Sequence, residues 1–350
     1  MKPNPFLGQT LSNRYWIQKK IGSGGFASIF KARDTVRNID VAIKILTLLP
    51  DTQVEEKREE RFVREARIHL NHPNIVNIFE LNHHESPSCT YIVMELLTGQ
   101  DLRKILEEKG PIPPQRAIPF VIKALEGLET AHKANIIHRD IKPENLFIHQ
   151  PKTKEEMIKV LDFGIARMHT EHSLSLTGQI LGTYKYLAPE YIQDDIITPK
   201  LDIYQMGLVF VELLTGTPVV NTDHALTGLR QHIRGSVEIP TALLESPVGP
   251  IILQSLHNNP NERFASALQF AQALSSITPS SIPFGDILKE KIALNVYYKG
   301  AMLLEFSSNE DWEEDEKTVE MGLQKRVPIQ FLIFAATSIT IGIAIAVLWL

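Results

Sequence analysis

Short apolar runs separated by turn residues dominate the first hundred positions of the chain. Tyr15-Trp16-Ile17 and Ile29-Phe30-Lys31-Ala32 flank a glycine-rich turn, and Val41-Ala42-Ile43-Lys44-Ile45-Leu46 follows as a compact apolar stretch. Runs of this kind predict strands. Around Glu55–Leu70 charged and apolar positions recur at helical spacing, which predicts one amphipathic helix among the strands. From Asp101 to Ser276 the period is mainly helical, as in Pro114–Lys133, Asp202–Leu214 and Ala265–Leu274. The pattern predicts an α+β chain in which a β-rich small lobe, residues 14–97, precedes an α-rich large lobe, residues 98–276. No internal repeat of solenoid or propeller spacing is visible.

The C-terminal pattern is different again. Ile329 to Leu350 is a run of 22 residues without a charge, IQFLIFAATSITIGIAIAVLWL. As a helix it would be about 33 Å long, enough for a bilayer core of about 30 Å. It lacks the polar stripe of a buried soluble helix, so one transmembrane helix is expected at 329–350. Lys325 and Arg326 precede it and no charge follows it, which places residues 1–328 on the cytoplasmic side. The N-terminus, MKPNPFLGQTLSNRYW, has no apolar run with a cleavage site, so no secretory signal is expected. Between fold and span, residues 277–328 read as an acidic juxtamembrane linker, with eight acidic residues against one Lys between Glu305 and Glu320. A solvated spacer is the plain reading of that segment, and a docking motif the alternative.

Composition narrows the chemistry. Hydrophobic residues at 43% and charged residues at 22% allow a sizeable core and exclude a disordered polyelectrolyte. A net charge of −5 gives no electrostatic reason for a nucleic-acid partner. Cys89 is the single cysteine, so an intrachain disulfide and a Cys-based zinc site are both excluded, and a reducing compartment is expected.

Several polar constellations carry chemistry. Ile21-Gly22-Ser23-Gly24-Gly25-Phe26-Ala27-Ser28-Ile29 lies between two strands, where glycines let backbone approach phosphate oxygens. Taken alone it reads more readily as a plain hairpin turn. Lys44, on the next apolar strand, suits a fixed cation aimed at phosphates, against the plain reading of an exposed strand lysine. Glu65, in Arg61-Phe62-Val63-Arg64-Glu65-Ala66-Arg67, reads as a solvated helix residue unless it partners Lys44. Then His138-Arg139-Asp140-Ile141-Lys142-Pro143-Glu144-Asn145, Asp162-Phe163-Gly164 and Ala188-Pro189-Glu190 follow in order within about fifty residues, and each residue type fits phosphoryl transfer.

On these strings, residues 14–276 resemble a eukaryotic-type (Hanks-type) serine/threonine protein kinase. The chain is similar to the bacterial branch in Tyr91-Ile92-Val93-Met94-Glu95 and Gly164-Ile165-Ala166-Arg167. The resemblance implies the bilobal protein kinase fold, ATP and Mg²⁺ (or Mn²⁺ in its place) as cofactors, and Ser/Thr residues of proteins as substrates. It implies Asp140 as the acceptor of the substrate hydroxyl's proton, Asn145 and Asp162 as metal ligands, and Lys142 on the γ-phosphate. Lys44 would contact the α- and β-phosphates and pair with Glu65. Ile21, Ile29, Ala42, Phe147 and Leu161 would sandwich adenine, with Met94 as gatekeeper and Glu95 to Leu97 as hinge.

The same resemblance implies a buried Glu190–Arg263 pair and an Asp202 that holds the catalytic loop. Arg139 before Asp140 implies ordering of the segment 162–190 by phosphorylation. That segment offers Thr170, Ser173, Ser175, Thr177 and Thr183, with Thr177 or Ser175 expected as the autophosphorylated site, in trans within a homodimer. Ala27 departs from the usual third glycine and stiffens the loop. A pseudokinase scaffold at the membrane is the rival reading, but such proteins typically lose the equivalents of Lys44, Asp140 or Asp162, which are all present here. A small-molecule phosphotransferase of related fold would lack the Ala188-Pro189-Glu190 segment. For a bacterial chain, the expected location is the inner or plasma membrane, single-pass, with the kinase domain cytoplasmic.

Overall fold

In the computed structural model, the described residues are 5–23, 27–46, 62–63, 70–151, 155–163, 183–288, 294–299 and 302–306. The chain divides into two units, Met1–Ser308 and Asn309–Leu350, and all described residues belong to the first. Gly24, Gly25, Phe26, Glu65, nearly all of the expected helix around Glu55–Leu70, the segment 164–182 and the expected span 329–350 lie outside them. Among the described residues no helix is long and apolar enough to cross a membrane.

The alternating runs of the small lobe pair into a six-stranded antiparallel sheet in the order β1-β2-β3-β4-β6-β5. Its strands are β1 (Thr10–Leu11), β2 (Tyr15–Ser23), β3 (Ala27–Asp34), β4 (Ile39–Leu46), β5 (Ile78–Glu85) and β6 (Ser88–Glu95). The sheet thus begins four residues before the boundary expected at 14. One face buries Tyr15, Ile17, Phe30, Ile43, Ile45, Tyr91 and Val93 in a common core. Trp16, inside the first apolar run, is 47% exposed because neighbouring strand residues face opposite sides. Arg14 donates to both carboxylate oxygens of Asp34 at 2.9 and 2.7 Å, and this bond holds the Asp34 carboxyl down to about 2. Cys89 is buried in the same core, and burial pushes its thiol up to about 11.

The large lobe is built on α1 (Leu102–Lys109), α2 (Pro114–Lys133), α3 (Pro189–Asp194), α4 (Pro199–Thr215), α5 (Ala225–Arg234), α6 (Thr241–Leu244), α7 (Gly249–Ser255), α8 (Ala267–Ser275) and α9 (Phe284–Ile287). A small antiparallel sheet, β7 (Gly99–Asp101), β8 (Leu146–His149) and β9 (Met157–Val160), joins them. Helix α2 has the bounds its period predicts. Helix α4 starts three residues earlier than the apolar pattern suggests, because Pro199 takes the first helical position, where its missing N–H costs nothing. It ends at Gly216, in the left-handed region at φ 79°, where a Cβ would come within 2.8 Å of the Pro111 ring. Leu201 to Leu214 of α4 are buried on every face, including Asp202, Gln205 and Glu212.

Regular elements extend past residue 276. Helix α9 is one of them, and backbone pairing joins β11 (Leu294–Lys299) and β12 (Met302–Phe306) to β10 (Val237–Ile239) in a second three-stranded sheet. Acid content averaged over the whole tail hides two apolar runs, LNVYY and MLLEF, on either side of Gly300, while the dense acidic cluster begins only at Glu310.

Arg263 ties the end of α8's approach to α3. Its Nη1 and Nη2 donate to Oε1 and Oε2 of Glu190, each at 2.8 Å, and both residues are buried. The guanidinium also donates to the carbonyls of His257 and Lys200 at 2.7 and 2.9 Å, and lies 4.6 Å from the centre of the Tyr204 ring. Removing one partner of such a pair strands a buried charge, so Arg263→Ala is expected to destabilise the large lobe by about 3–5 kcal/mol. Guanidinium denaturation checks this, and an unchanged midpoint would remove the pair from the list of what holds the lobe together.

Candidate functional site

The site rests on polar side chains of α4. Asp202, with no exposed surface, accepts from the backbone N–H groups of His138 and Arg139, each at 2.8 Å, and from His132 Nε2 at 2.7 Å. One turn on, Gln205 accepts from the Ile141 N–H at 2.9 Å and donates to the carbonyls of Arg139 and Tyr186 at 3.2 and 3.0 Å. Between these two anchors Arg139 sits at φ 67°, a left-handed conformation that non-glycine residues avoid unless surrounding bonds impose it. The loop 138–145 is thereby bent away from the helix, with Asp140 at its crest.

His138 fixes the other side. Its Nδ1 accepts from the Asp140 N–H at 3.3 Å, so the proton belongs on Nε2, which donates to the Leu161 carbonyl at 2.7 Å. The Phe163 ring packs 4.8 Å from the His138 ring and is buried. Asp162, between Leu161 and Phe163, is held at φ 46°.

The acidic and basic groups then converge. Asp140 Oδ2 accepts from Lys142 Nζ at 2.8 Å and from Asn145 Nδ2 at 3.1 Å, and Asn145 Nδ2 also reaches the Asp140 carbonyl at 2.7 Å. The Leu161 N–H donates to the Asn145 carbonyl at 2.9 Å, which locks the two strings together. From the small lobe, Lys44 Nζ reaches Asp162 Oδ1 at 2.8 Å. Five of the residues singled out in sequence, Lys44, Asp140, Lys142, Asn145 and Asp162, thus form one bipolar cluster. Glu65, the expected partner of Lys44, lies outside the described residues.

The residues expected to enclose a nucleotide lie on neighbouring strands. Strand pairing sets Ile29 opposite Lys44 and Gly22, and Ala42 opposite Met94. Ala27 and Ala42 are buried, whereas Ile29, Ser28, Met94, Leu97, Phe147 and Leu161 are half-buried and Ile21 and Ser23 are exposed. Glu95 behaves differently from a lining residue. Its carboxylate accepts from the Asn77 N–H at 2.7 Å and from Lys159 Nζ at 2.6 Å, so that side chain belongs to the scaffold of the hinge.

The donor set fits nucleotide and divalent metal chemistry. Asn145 spends its amide N–H₂ on Asp140, which turns the carbonyl end to a cation. No group of three or more His, Cys, Asp or Glu among the described residues could hold a metal unaided. Asn145 and Asp162 offer oxygen donors of the kind that hard divalent cations take.

Sequence reasoning passed over three holders of this geometry. Gln205 was signalled only by its place three residues after Asp202 in an otherwise apolar helix. Lys159 lies inside the apolar run Met157-Ile158-Lys159-Val160. Arg103 donates to Glu144 at 3.0 Å, to buried Glu212 at 2.7 Å and to the Tyr186 hydroxyl at 2.6 Å, and that hydroxyl donates to Glu212 at 2.6 Å. Burial raises both the Glu212 carboxyl and the Tyr186 phenol above their ordinary values. Arg139, which the sequence had already singled out, has its Nε and Nη1 buried with no hydrogen-bond partner among the described residues.

Comparison with known proteins agrees with this geometry. Residues 15–281 match the protein kinase domain family. The serine/threonine-protein kinase PknB of Mycolicibacterium smegmatis is 35% identical over 285 residues, covering 79% of this chain and 44% of that protein. The serine/threonine-protein kinase pkn3 of Myxococcus xanthus is 33% identical over 285 residues, covering 78% of this chain and 51% of that protein. A probable serine/threonine-protein kinase of Clostridium acetobutylicum is 33% identical over 276 residues, 77% of this chain and 41% of that protein. The chain thus spans about half the length, or less, of these curated relatives. With a family match over most of its length and the polar cluster in place, the chain belongs to the protein kinase domain family.

Proposed function

We propose that this chain is a serine/threonine protein kinase that transfers the γ-phosphate of ATP to Ser/Thr hydroxyls of proteins. The observation that carries this reading is the convergence of Lys44 and Asp162 from two lobes on the loop that holds Asp140, Lys142 and Asn145. Asp140 orients the substrate hydroxyl and accepts its proton. Lys142 neutralises charge on the transferring group, and Lys44 that on the remaining phosphates. Asn145 and Asp162 would hold Mg²⁺, which would supply positive charge against that of the phosphates. Ala42, Met94, Phe147 and Leu161 enclose the adenine. The serine/threonine assignment is supported by Lys142 two residues after Asp140 and by the names of the relatives.

Phosphate incorporation from labelled ATP·Mg²⁺ into a basic protein tests the reading. Asp140→Asn is expected to lose about 10²–10⁴-fold in rate, the usual worth of a general base. ATP-induced thermal stabilisation without any incorporation by the unaltered chain would instead favour a nucleotide-binding scaffold.

The unpartnered nitrogens of Arg139 support a further part of the proposal, that a phosphate on the segment 164–182 completes this guanidinium. Ser175 or Thr177 is the proposed site, modified in trans by a second copy of the chain. The chain carrying Asp140→Asn should therefore be phosphorylated there by the unaltered chain. Mapping of active enzyme that finds neither residue modified would overturn this.

Residues 329–350 are proposed to anchor the chain as a single membrane span, with 1–328 on the cytoplasmic side. The support is the uncharged run of 22 residues preceded by Lys325 and Arg326. The expressed chain should stay in the membrane fraction through a carbonate wash, and its release would count against the anchor.

A further inference from the structure

Lys159 is a charged residue where the strand pattern calls for an apolar one. On β9 its neighbours Ile158 and Val160 are buried on one face of the sheet, so Lys159 points to the other. Its direct cross-strand partner on β8 is Phe147, which puts the two side chains on the same face, the one that carries the proposed floor of the adenine site. The Lys159 side chain is 8% exposed, and its ammonium reaches Glu95 Oε1 at 2.6 Å and the Ile75 carbonyl at 3.4 Å. An ammonium this deeply buried is tolerated only with an oxygen shell, so it pins the Glu95 carboxylate in place.

Glu95 carries that anchoring to the hinge. It ends β6 and pairs with Val41 of β4, beside the Ala42–Met94 pair on the proposed roof of the adenine site. Its Oε1 accepts from the Asn77 N–H, and its own N–H donates to the Asn77 carbonyl at 3.0 Å. The segment leading to Asn77 is stitched to the large lobe in turn. The Val160 N–H donates to the Asn74 carbonyl at 2.8 Å, the Val76 N–H to the Val160 carbonyl at 3.0 Å, and Asn74 Nδ2 to the Ile158 carbonyl at 2.9 Å. Gly127 of α2 permits this approach, since a Cβ there would lie 3.3 Å from the Asn74 carbonyl oxygen. Three chain segments, the hinge, residues 74–77 and β9, therefore share one ion pair, its ammonium buried and its carboxylate half-buried.

We propose that the Lys159–Glu95 pair is a positioning device for the nucleotide, setting the separation between the roof at Ala42 and Met94 and the floor at Phe147 and Leu161. Neither side chain touches the reacting atoms. The proposal deepens the kinase reading and rests on it for the identity of the ligand. Loss of the ammonium leaves the half-buried carboxylate with the Asn77 N–H but no counter-charge, and the hinge moves to bring it to water. The adenine slot loses its fixed height as a result, while the phosphate-handling cluster at Asp140 and Asp162 keeps its own bonds.

Calorimetric titration of the full chain with ADP·Mg²⁺ tests this without requiring turnover. Lys159→Met keeps the aliphatic stem and is expected to weaken ADP about tenfold, the loss of one charge-assisted hydrogen bond. Lys159→Arg, which restores the charge, should recover most of that loss. Glu95→Gln should weaken ADP in the same direction, and carries the test alone if Lys159→Met does not fold. In steady-state assays KM for ATP should rise while KM for the protein substrate is unchanged. Wild-type ADP affinity in folded Lys159→Met and Glu95→Gln, with only a lower melting temperature, would reduce the pair to a structural role and overturn the proposal. If ADP binding shifts as expected but even the unaltered chain transfers no phosphate, the strap stands and the kinase reading falls.

Discussion

A carboxylate with no exposed surface is the constraint on which the site depends. Asp202 lies in a helix buried on every side, where an unpaired charge would cost several kcal/mol, so it must be given donors. The fold supplies three, and two of them are consecutive backbone N–H groups of the loop 138–145. A carboxylate that grips successive amides dictates the path of the chain. The strained φ of Arg139 follows from that grip, because a backbone outlier worth about 1–3 kcal/mol is outweighed by two charge-assisted bonds of about 1.5–3 kcal/mol each. Asp140 projects where it does because its predecessor is held in a conformation that it would not adopt alone.

The two lobes have separate apolar cores, one around Tyr15, Phe30 and Tyr91 and one around α2 and α4. What crosses between them near the cleft is polar: Lys44 to Asp162 at the phosphate end, and Glu95 to Lys159 at the hinge end. These joints differ in character. Asp162 is 45% exposed, so its pair with Lys44 is screened and easily exchanged for other ions, as a binding site for charged ligands requires. At the hinge the Lys159 ammonium is buried and the Glu95 carboxylate half-buried, so rearranging the pair means stranding the lysine's charge. One end of the cleft is thus free to respond to phosphates while the other keeps its geometry.

Much of this architecture was legible from periodicity. The bounds of α2 and the strand core at Val41–Leu46 follow from the spacing of apolar residues, which is a local property. The motif strings pointed to Asp140, Lys142, Asn145 and Asp162 because these residue types stand close together in the chain and fit phosphoryl transfer. Sequence reading failed where placement depends on something distant. Whether Trp16 faces core or water depends on which neighbours β2 acquires, and the strands at 294–306 depend on β10, some fifty residues earlier. Composition averaged over the tail blurred that hairpin into the acidic cluster beyond it.

The holders of the site were overlooked for a related reason. Gln205, Glu212 and Lys159 each stand as a lone polar residue in an apolar run, a pattern that in isolation reads as a surface position facing water. In α4 that inference inverts, since the apolar residues around the whole circumference leave no wet face for a polar one to occupy. Each such residue must then find its partners within the protein, and those partners are the loop 138–145, the segment 183–186 and, for Lys159, the hinge. The groups placed for chemistry, Asp140, Lys142 and Asp162, remain partly exposed, because they must meet ligands. The residues that fix them are the buried polar ones, and a helix that is apolar on every side is where a sequence announces them.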